Sequence, residues 1–292
     1  MAATVRARFA HLTDLHLGTV PCREYPTAIA VVRSAVAECN RLGLDFVVLT
    51  GDLLDDTVHL ERDLHLLREL LDGLDCPYYL GVGNHDMQGR DIPARRMLWR
   101  QVFPDLARER GLYYHHDPVP GLRLIMLDTT ETPEVDYLTW RGFVSLEQAD
   151  WFSRTLETLD GRVPLVGLHH PPRPPLPFLR LMRLMPPDER RLLDCLEGLT
   201  VEGFLLAGHY HVSHARRVGR ATILTGPSLV EHPHAFRVCE LDERGLHVRW
   251  HALPGEPLPR RVFTLGTRLR HRVIARLNRA HHGSFPLSGV SS

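Results

Sequence analysis

The sequence predicts an α/β protein with buried strands, and three features of the chain support this fold class. Short apolar runs, for example residues 46–49, stop at turns that contain glycine, aspartate or histidine. Longer segments between these runs carry apolar residues every three to four positions, which is the period of an amphipathic helix. Strand and helix alternate, as they do in sheets that are covered by helices. With 43% hydrophobic and 24% charged residues, the chain can bury a sizeable core.

The first half of the chain contains three predicted strands separated by two predicted helices. The strands lie at 6–12, 46–49 and 78–80, and the helices at 26–42 and 59–71. The first helix has an apolar face that is formed by Ile29, Val32, Ala35, Val36 and Cys39.

The second half continues this alternation of strands and helices and then ends in short strands. Its strands and helices are predicted at 122–127, 146–159, 164–168, 188–199 and 204–207. A proline-rich segment with a short helix is expected at 171–187. Short strands separated by tight turns follow at 222–224, 236–241 and 246–251, and they suit an antiparallel edge.

The chain is predicted to divide into a domain at 1–253 and a tail at 254–292. Three prolines between 254 and 259 mark a linker, and the segment 260–279 is rich in arginine with apolar residues interleaved. This basic amphipathic tail is interpreted either as an interfacial helix in peripheral contact with a membrane, or as a helix docked on the domain. The sequence indicates no oligomeric state.

Charge and cysteine usage limit the expected partners and location. The 35 basic and 35 acidic side chains balance, so no overall field attracts nucleic acid, and no stable nucleic-acid partner is expected. The five cysteines form no CxxC pair, which suits a reducing compartment and disfavours a thiolate metal site. Neither a signal-peptide pattern nor an apolar run of the ~20 residues that cross a bilayer is found. We therefore expect a cytoplasmic location.

Five polar turns carry the chemistry, and most of them directly follow a predicted strand. They are Asp14-Leu-His16, Gly51-Asp52, Gly83-Asn84-His85-Asp86, His169-His170 and Gly208-His209-Tyr-His211. Ligands of open α/β sheets bind beyond the carboxyl ends of the strands, so turns that are distant in sequence can converge there. In the D-x-H and H-x-H turns, an extended backbone would place both side chains on one side. Carboxylate, imidazole and amide groups are suitable ligands for divalent metals.

The order D-x-H, G-D, G-N-H-D, H and G-H-x-H resembles the calcineurin-like metallophosphoesterase superfamily over about residues 10–211. The resemblance implies a four-layer α/β/β/α sandwich with mixed sheets and two divalent metal ions, for which manganese, iron, zinc and cobalt are candidates. Carried over by position, it assigns the first metal to Asp14, His16, Asp52 and His211. It makes Asp52 a bridge and completes the second metal with Asn84, His169 and His209.

The same resemblance makes Asn84 and His85 substrate-binding and His85 the histidine that faces the phosphate. Two metal ions that share a water molecule activate it near neutral pH and clamp the phosphoryl oxygens. His85 is then expected to stabilise or protonate the departing oxygen, with support from Asp55. Asp86 is predicted to stabilise its turn rather than to bind metal, and His170 is predicted to face away from the metals.

The implied reaction is hydrolysis of a small phosphodiester or nucleotide. The HLTDLHLG opening, the LDTT turn at 127–130 and the HHPP segment at 169–172 resemble a compact bacterial group that includes class III cyclic-nucleotide phosphodiesterases. A 3′,5′-cyclic nucleotide is therefore the leading substrate.

Three alternatives stay open. A lipid A precursor pyrophosphatase would act on a UDP-lipid at the membrane surface, with the apolar residues at 176–185 as a lid; the same residues also suit a core helix. A DNA exonuclease is disfavoured by the balanced charge. A scaffold protein without metals is disfavoured because every matched position holds a competent ligand.

Overall fold

Two six-stranded sheets form the centre of the chain in the computed structural model. The structure describes residues 6–18, 25–55, 59–88, 91–107, 112–131, 141–175, 186–231, 233–255 and 282–287. The segment 176–185, interpreted as a lid or a core helix, and the arginine-rich segment 260–279 lie outside these residues. No helix in the described ranges combines the length and apolarity that crossing a membrane would require.

The first sheet has a parallel half and an antiparallel half. Its strands are β1 (Ala7–Leu12), β2 (Phe46–Thr50), β3 (Tyr78–Gly81), β10 (Ala235–Asp242), β11 (Gly245–Ala252) and β12 (His282–Pro286), in the spatial order β12-β11-β10-β1-β2-β3. β1, β2 and β3 run parallel, because helices α1 (Tyr25–Leu42) and α2 (Leu60–Leu71) connect them as crossovers. The remaining pairs are antiparallel.

The second sheet is also mixed, with antiparallel strands at both edges. Its strands are β4 (Tyr114–His116), β5 (Leu122–Met126), β6 (Val163–Gly167), β7 (Gly203–Ala207), β8 (His214–Val218) and β9 (Ala221–Thr225), in the order β4-β5-β6-β7-β9-β8. The four central strands are parallel. Helices α5 (Leu146–Glu157) and α6 (Pro186–Glu197) connect β5 to β6 and β6 to β7.

Side-chain alternation along β5 shows how the layers pack. Leu124 and Met126 belong to the core that is shared with the first sheet, whereas Ile125 and Leu127 belong to a separate core beneath α5 and α6. On the other side, the predicted apolar face of α1 packs on the first sheet through Val32, Ala35 and Cys39. The four-layer α/β/β/α sandwich with mixed sheets is therefore confirmed.

Several short elements were not predicted from the sequence. They are helix α3 (Asn84–Met87), helix α4 (Ile92–Val102), a 3-10 helix at Pro104–Ala107, and strands β4, β8 and β12. β4 and β8 are edge strands. β8 contains only exposed or half-buried residues and β4 a single buried one, Tyr114, so both lack the apolar runs that identify central strands. β12 lies within the tail predicted at 254–292, and it pairs with β11 from Arg249↔His282 to Gly245↔Pro286.

Candidate functional site

The seven side chains predicted as metal ligands lie together beyond the carboxyl ends of the parallel strands. All of them are almost fully buried. The ligand atoms of Asp14, Asp52 and His169 lie within 4.8 Å of one another, so the turns after β1, β2 and β6 meet at one point. This trio joins two groups of donors.

The first group consists of Asp14, His16 and His211, whose ligand atoms also lie within 4.8 Å of one another. His211 Nε2 is 3.1 Å from Asp14 Oδ1 and 3.2 Å from His16 Nε2. His16 Nε2 is 3.9 Å from the same carboxylate oxygen. Two imidazole nitrogens and a carboxylate oxygen therefore converge on a common point, as the ligands of a cation do.

The second group consists of Asp52, Asn84, His169 and His209. His169 Nε2 lies 3.2 Å from Asp52 Oδ2 and 3.1 Å from Asn84 Oδ1. His209 Nδ1 lies 3.1 Å from the same amide oxygen. Because Asp52 belongs to this group and also neighbours Asp14, its carboxylate is in a position to serve both groups.

The two turns with alternating ligands are not extended, which corrects the geometry expected from the sequence. Five of the proposed ligands have left-handed backbone, with φ of 54° at Asp14, 46° at His16, 49° at Asp52, 70° at His209 and 54° at His211. The residue between each pair, Leu15 or Tyr210, is buried. Asp14 and His16 both reach the first group, whereas His209 reaches the second group and His211 the first.

Contacts between turns hold this strained backbone. Asp14 N–H donates to Gly51 O and His16 N–H donates to Asp52 O, both at 3.0 Å. His209 N–H lies 3.2 Å from both Asp14 carboxylate oxygens. Glycine is needed at position 208, because a Cβ there would overlap Thr13 and Asp14.

Opposite charges dominate the electrostatics of the metal-free site. Burial alone would raise the pKa of Asp14, but His211 outweighs it and lowers this pKa to about 2. Burial alone would lower the pKa of His211, but Glu231 and Asp14 raise it to about 9. In the same way, Asp52 raises the pKa of His169 against the effect of burial. The buried carboxylates thus favour the protonated histidines, and a bound cation would compete with these protons.

His85 stands beside the two groups at the more exposed side of the site. Its backbone N–H donates to Asp52 Oδ1 at 2.8 Å, and 29% of its side chain is exposed. Its Nδ1 lies 3.1 Å from Asp55 Oδ1, which is also 3.6 Å from His16 Nδ1. Burial raises the pKa of Asp55, but the nearby imidazoles of His16 and His85 outweigh it and keep this pKa well below its usual range.

Asp86 fixes the turn that carries Asn84 and His85, as predicted. Its Oδ2 accepts a hydrogen bond from Gly83 N–H at 2.7 Å, and its Oδ1 accepts one from Leu54 N–H at 2.8 Å. Burial and the charge of Asp52 raise the pKa of Asp86 to about 7.

The sequence analysis placed one side chain of the site wrongly and missed another. His170 was expected to face away, but its ring centroid lies 4.4 Å from that of His209, and its Nδ1 is 2.8 Å from Thr129 Oγ1. This prediction was wrong because β6 ends at Gly167. The side chains that follow therefore no longer alternate between the two faces of the sheet. Glu231 lies 2.8 Å from His211, and no motif in the sequence points to it.

The donor set fits two divalent cations. It combines carboxylate and amide oxygens with imidazole nitrogens and contains no thiolate, which is the chemistry that manganese, iron, zinc or cobalt ions accept. These donors form a candidate metal site at the strand ends of the α/β/β/α sandwich. The chain belongs to the calcineurin-like phosphoesterase family, whose model matches residues 7–213.

Two curated relatives are similar to this chain in sequence. The chain is 30% identical over 210 residues to a probable cyclic nucleotide phosphodiesterase from Rhodococcus erythropolis, which covers 70% of this chain and 64% of the relative. It is 27% identical over 209 residues to a cAMP/cGMP dual specificity phosphodiesterase from Mycobacterium tuberculosis, covering 70% and 61%. The match thus spans less than two thirds of the length of either relative.

Among solved structures, a dimetal phosphatase from Danio rerio has a similar fold. The TM-score is 0.66 at 18% sequence identity, and the match covers 84% of this chain and 96% of that chain. At this identity the similarity extends to the fold alone.

Proposed function

We propose that this chain is a binuclear metal-dependent phosphodiesterase and that 3′,5′-cyclic nucleotides are its substrates. The observation that carries the proposal is the convergence of seven buried donors in two neighbouring groups, with Asp52 next to Asp14 between them and His85 on the more exposed side. The cyclic-nucleotide phosphodiesterases among its relatives support the choice of substrate class.

The roles of the side chains follow from their contacts. Two cations held by these seven residues would activate water near neutral pH and neutralise the phosphoryl oxygens. Asp55 lies 3.1 Å from His85 Nδ1 and favours the imidazolium form of His85, in which Nε2 also carries a proton that it can donate to the departing oxygen. The oxygen of Asn84 is turned to the second group, so its amide nitrogen is the atom that remains to bind a phosphoryl oxygen.

A substrate panel tests this function. The purified full chain is stripped with a chelator, reconstituted with Mn²⁺, and assayed on bis-p-nitrophenyl phosphate, cyclic AMP, 2′,3′-cyclic AMP and a UDP-lipid. We expect turnover of the diester and of cyclic AMP, loss of both on chelation, and recovery with Mn²⁺. The variant Asp55→Asn preserves shape and removes charge, and it tests the His85–Asp55 pair. It should slow turnover at unchanged metal content.

The outcomes separate the alternatives. Turnover confined to the UDP-lipid would replace the proposed substrate with that of a lipid A precursor pyrophosphatase. Activity that survives complete metal removal would contradict the metal-dependent mechanism. A protein that binds metal but hydrolyses none of the four compounds would contradict the proposed reaction.

A further inference from the structure

His211 connects the first donor group to a carboxylate that no motif contains. Its Nε2 faces Asp14 and His16, while its Nδ1 lies 2.8 Å from Glu231 Oε2. Glu231 is 5% exposed and the His211 side chain 10% exposed, so this pair is shielded from water. One nitrogen of the imidazole is thus directed at the cation position and the other at a buried negative charge.

The loop that carries Glu231 is fastened to the first turn of the site. Ser228 Oγ donates to Asp14 O at 2.8 Å, and Leu229 N–H donates to Thr13 O at 3.1 Å. These bonds tie the segment after β9 to the residues that supply Asp14 itself. The position of Glu231 is therefore set by the same backbone that forms the first group, which is what a residue that orients a ligand requires.

His211 of the first group and His169 of the second group differ in what lies beside their Nδ1 atoms. In the first group, His211 Nδ1 lies at hydrogen-bond distance, 2.8 Å, from Glu231 Oε2, whereas the 3.6 Å between His16 Nδ1 and Asp55 Oδ1 is too long for a hydrogen bond. His169 of the second group instead donates from Nδ1 to the neutral carbonyl of Thr50 at 2.9 Å. A carboxylate that accepts the Nδ1 proton fixes the tautomer and makes the opposite nitrogen a stronger ligand, more so than a carbonyl does.

We infer that Glu231 is a positioning residue for His211 and makes the first metal site the tighter of the two. The inference rests on the proposed binuclear function, and it adds the order in which metal ions fill the two sites. The site formed by Asp14, His16, Asp52 and His211 fills first and retains its ion, whereas the site formed with Asn84, His169 and His209 exchanges.

Calorimetric titration of the metal-free full chain with Mn²⁺ tests the inference without any assay of activity. We expect two affinity classes in the wild type, and retention of one ion after extensive dialysis. Glu231→Gln keeps an oxygen that can accept from Nδ1 but loses the charge, and Glu231→Ala loses both. The tighter class should therefore weaken in the order wild type, Gln, Ala, by about ten- to hundredfold in all, while the weaker class stays unchanged.

Two further variants serve as controls. Glu202→Gln removes another buried glutamate, one that pairs with Arg217 and Arg220 away from the site, and it should leave both affinity classes intact. Asn84→Ala should weaken only the second class and thereby identify it. Circular dichroism checks that each variant is folded.

Each result has a defined consequence. A single affinity class in the wild type would overturn the inference, whether or not the variants fold. Folded Glu231 variants that keep the tight class would also overturn it, and both results leave the phosphodiesterase function standing. A wild type that binds no Mn²⁺ at all would overturn the inference together with the proposed function.

Discussion

At the scale of single residues, the proposed ligands combine burial, charge and strained backbone. A non-glycine residue in the left-handed region costs about 1–3 kcal/mol when the surroundings force it there. Asp14, Asp52 and His209 carry this cost and the cost of desolvation as well. These costs are tolerated because hydrogen bonds between the turns and the pairing of opposite charges offset them. The same combination makes single substitutions at the site informative.

Asp52→Ala should abolish turnover and lower the bound metal, because it removes the carboxylate that we propose as the bridge between the two groups. We expect a loss of at least about a thousandfold in kcat/KM, in line with removal of the metal ions' contribution. Elemental analysis of dialysed protein measures the metal content. Asp52→Asn, which keeps an oxygen to accept from His85 N–H, is the matched control for folding. Full metal content in Asp52→Ala would contradict the bridging role.

His85→Ala should leave metal content near that of the wild type and slow turnover by about 10²–10⁴-fold, as loss of a general acid does. The loss should be largest for substrates with poor leaving groups, because those need a proton most. Rates for aryl phosphodiesters of graded leaving-group pKa provide the measurement. A rate loss that is equal for all leaving groups would show that His85 acts otherwise than as an acid.

At the scale of elements, β12 closes the antiparallel half of the first sheet. Phe285 pairs with Leu246 of β11 and packs against the main core, while Ser284 on the other face is exposed. β12 follows the arginine-rich segment in sequence. The strand covers an edge that would otherwise present unpaired backbone groups.

Phe285→Ala should lower stability modestly without affecting the site. The side chain is half-buried, so we expect a loss of about 1–2 kcal/mol in the free energy of unfolding, or a fall of about 2–6 °C in Tm. Ser284→Ala is the matched control on the exposed face and should leave Tm nearly unchanged. Thermal denaturation followed by circular dichroism measures both. An unchanged Tm in Phe285→Ala would mean that β12 does not stabilise the sheet.

At the scale of the whole molecule, metal binding and stability are linked through protons. The pKa of His211 in the metal-free protein is about 9 against 6.5 for an ordinary histidine. Its proton therefore stabilises the metal-free fold fully below pH 6.5, and this stabilisation is lost as the pH rises through about 9. His169 has a raised pKa as well, so it acts in the same direction. Cations compete with both protons.

The stabilisation by Mn²⁺ should therefore grow between pH 6.5 and about 8.5. With Mn²⁺ about 100-fold above its Kd, mass action contributes about 2.7 kcal/mol and raises Tm by about 5–10 °C. Thermal unfolding with and without Mn²⁺, at equal ionic strength and several pH values, measures the difference. A difference in Tm that is constant or shrinks as pH rises would contradict the linkage.

Much of the fold and most of the candidate site were predictable, because both depend on local patterns. The central strands are short apolar runs and the main helices have regular apolar faces, so their periodicity identifies them. The metal-ligand types stand in turns at strand ends, and their order along the chain matches one family. β4 and β8 escaped because edge strands bury too little to show a pattern.

The sequence by itself determined the fold class, the family and the candidate ligands. Each can be identified from short local patterns and from the order of these patterns along the chain. Only the tertiary structure decided how the ligands are oriented and what lies behind them. The left-handed turns depend on hydrogen bonds between distant segments, such as Asp14 N–H to Gly51 O. The Glu231 contact joins residues from different loops. Such relations arise only when the chain packs, because no local spacing encodes them.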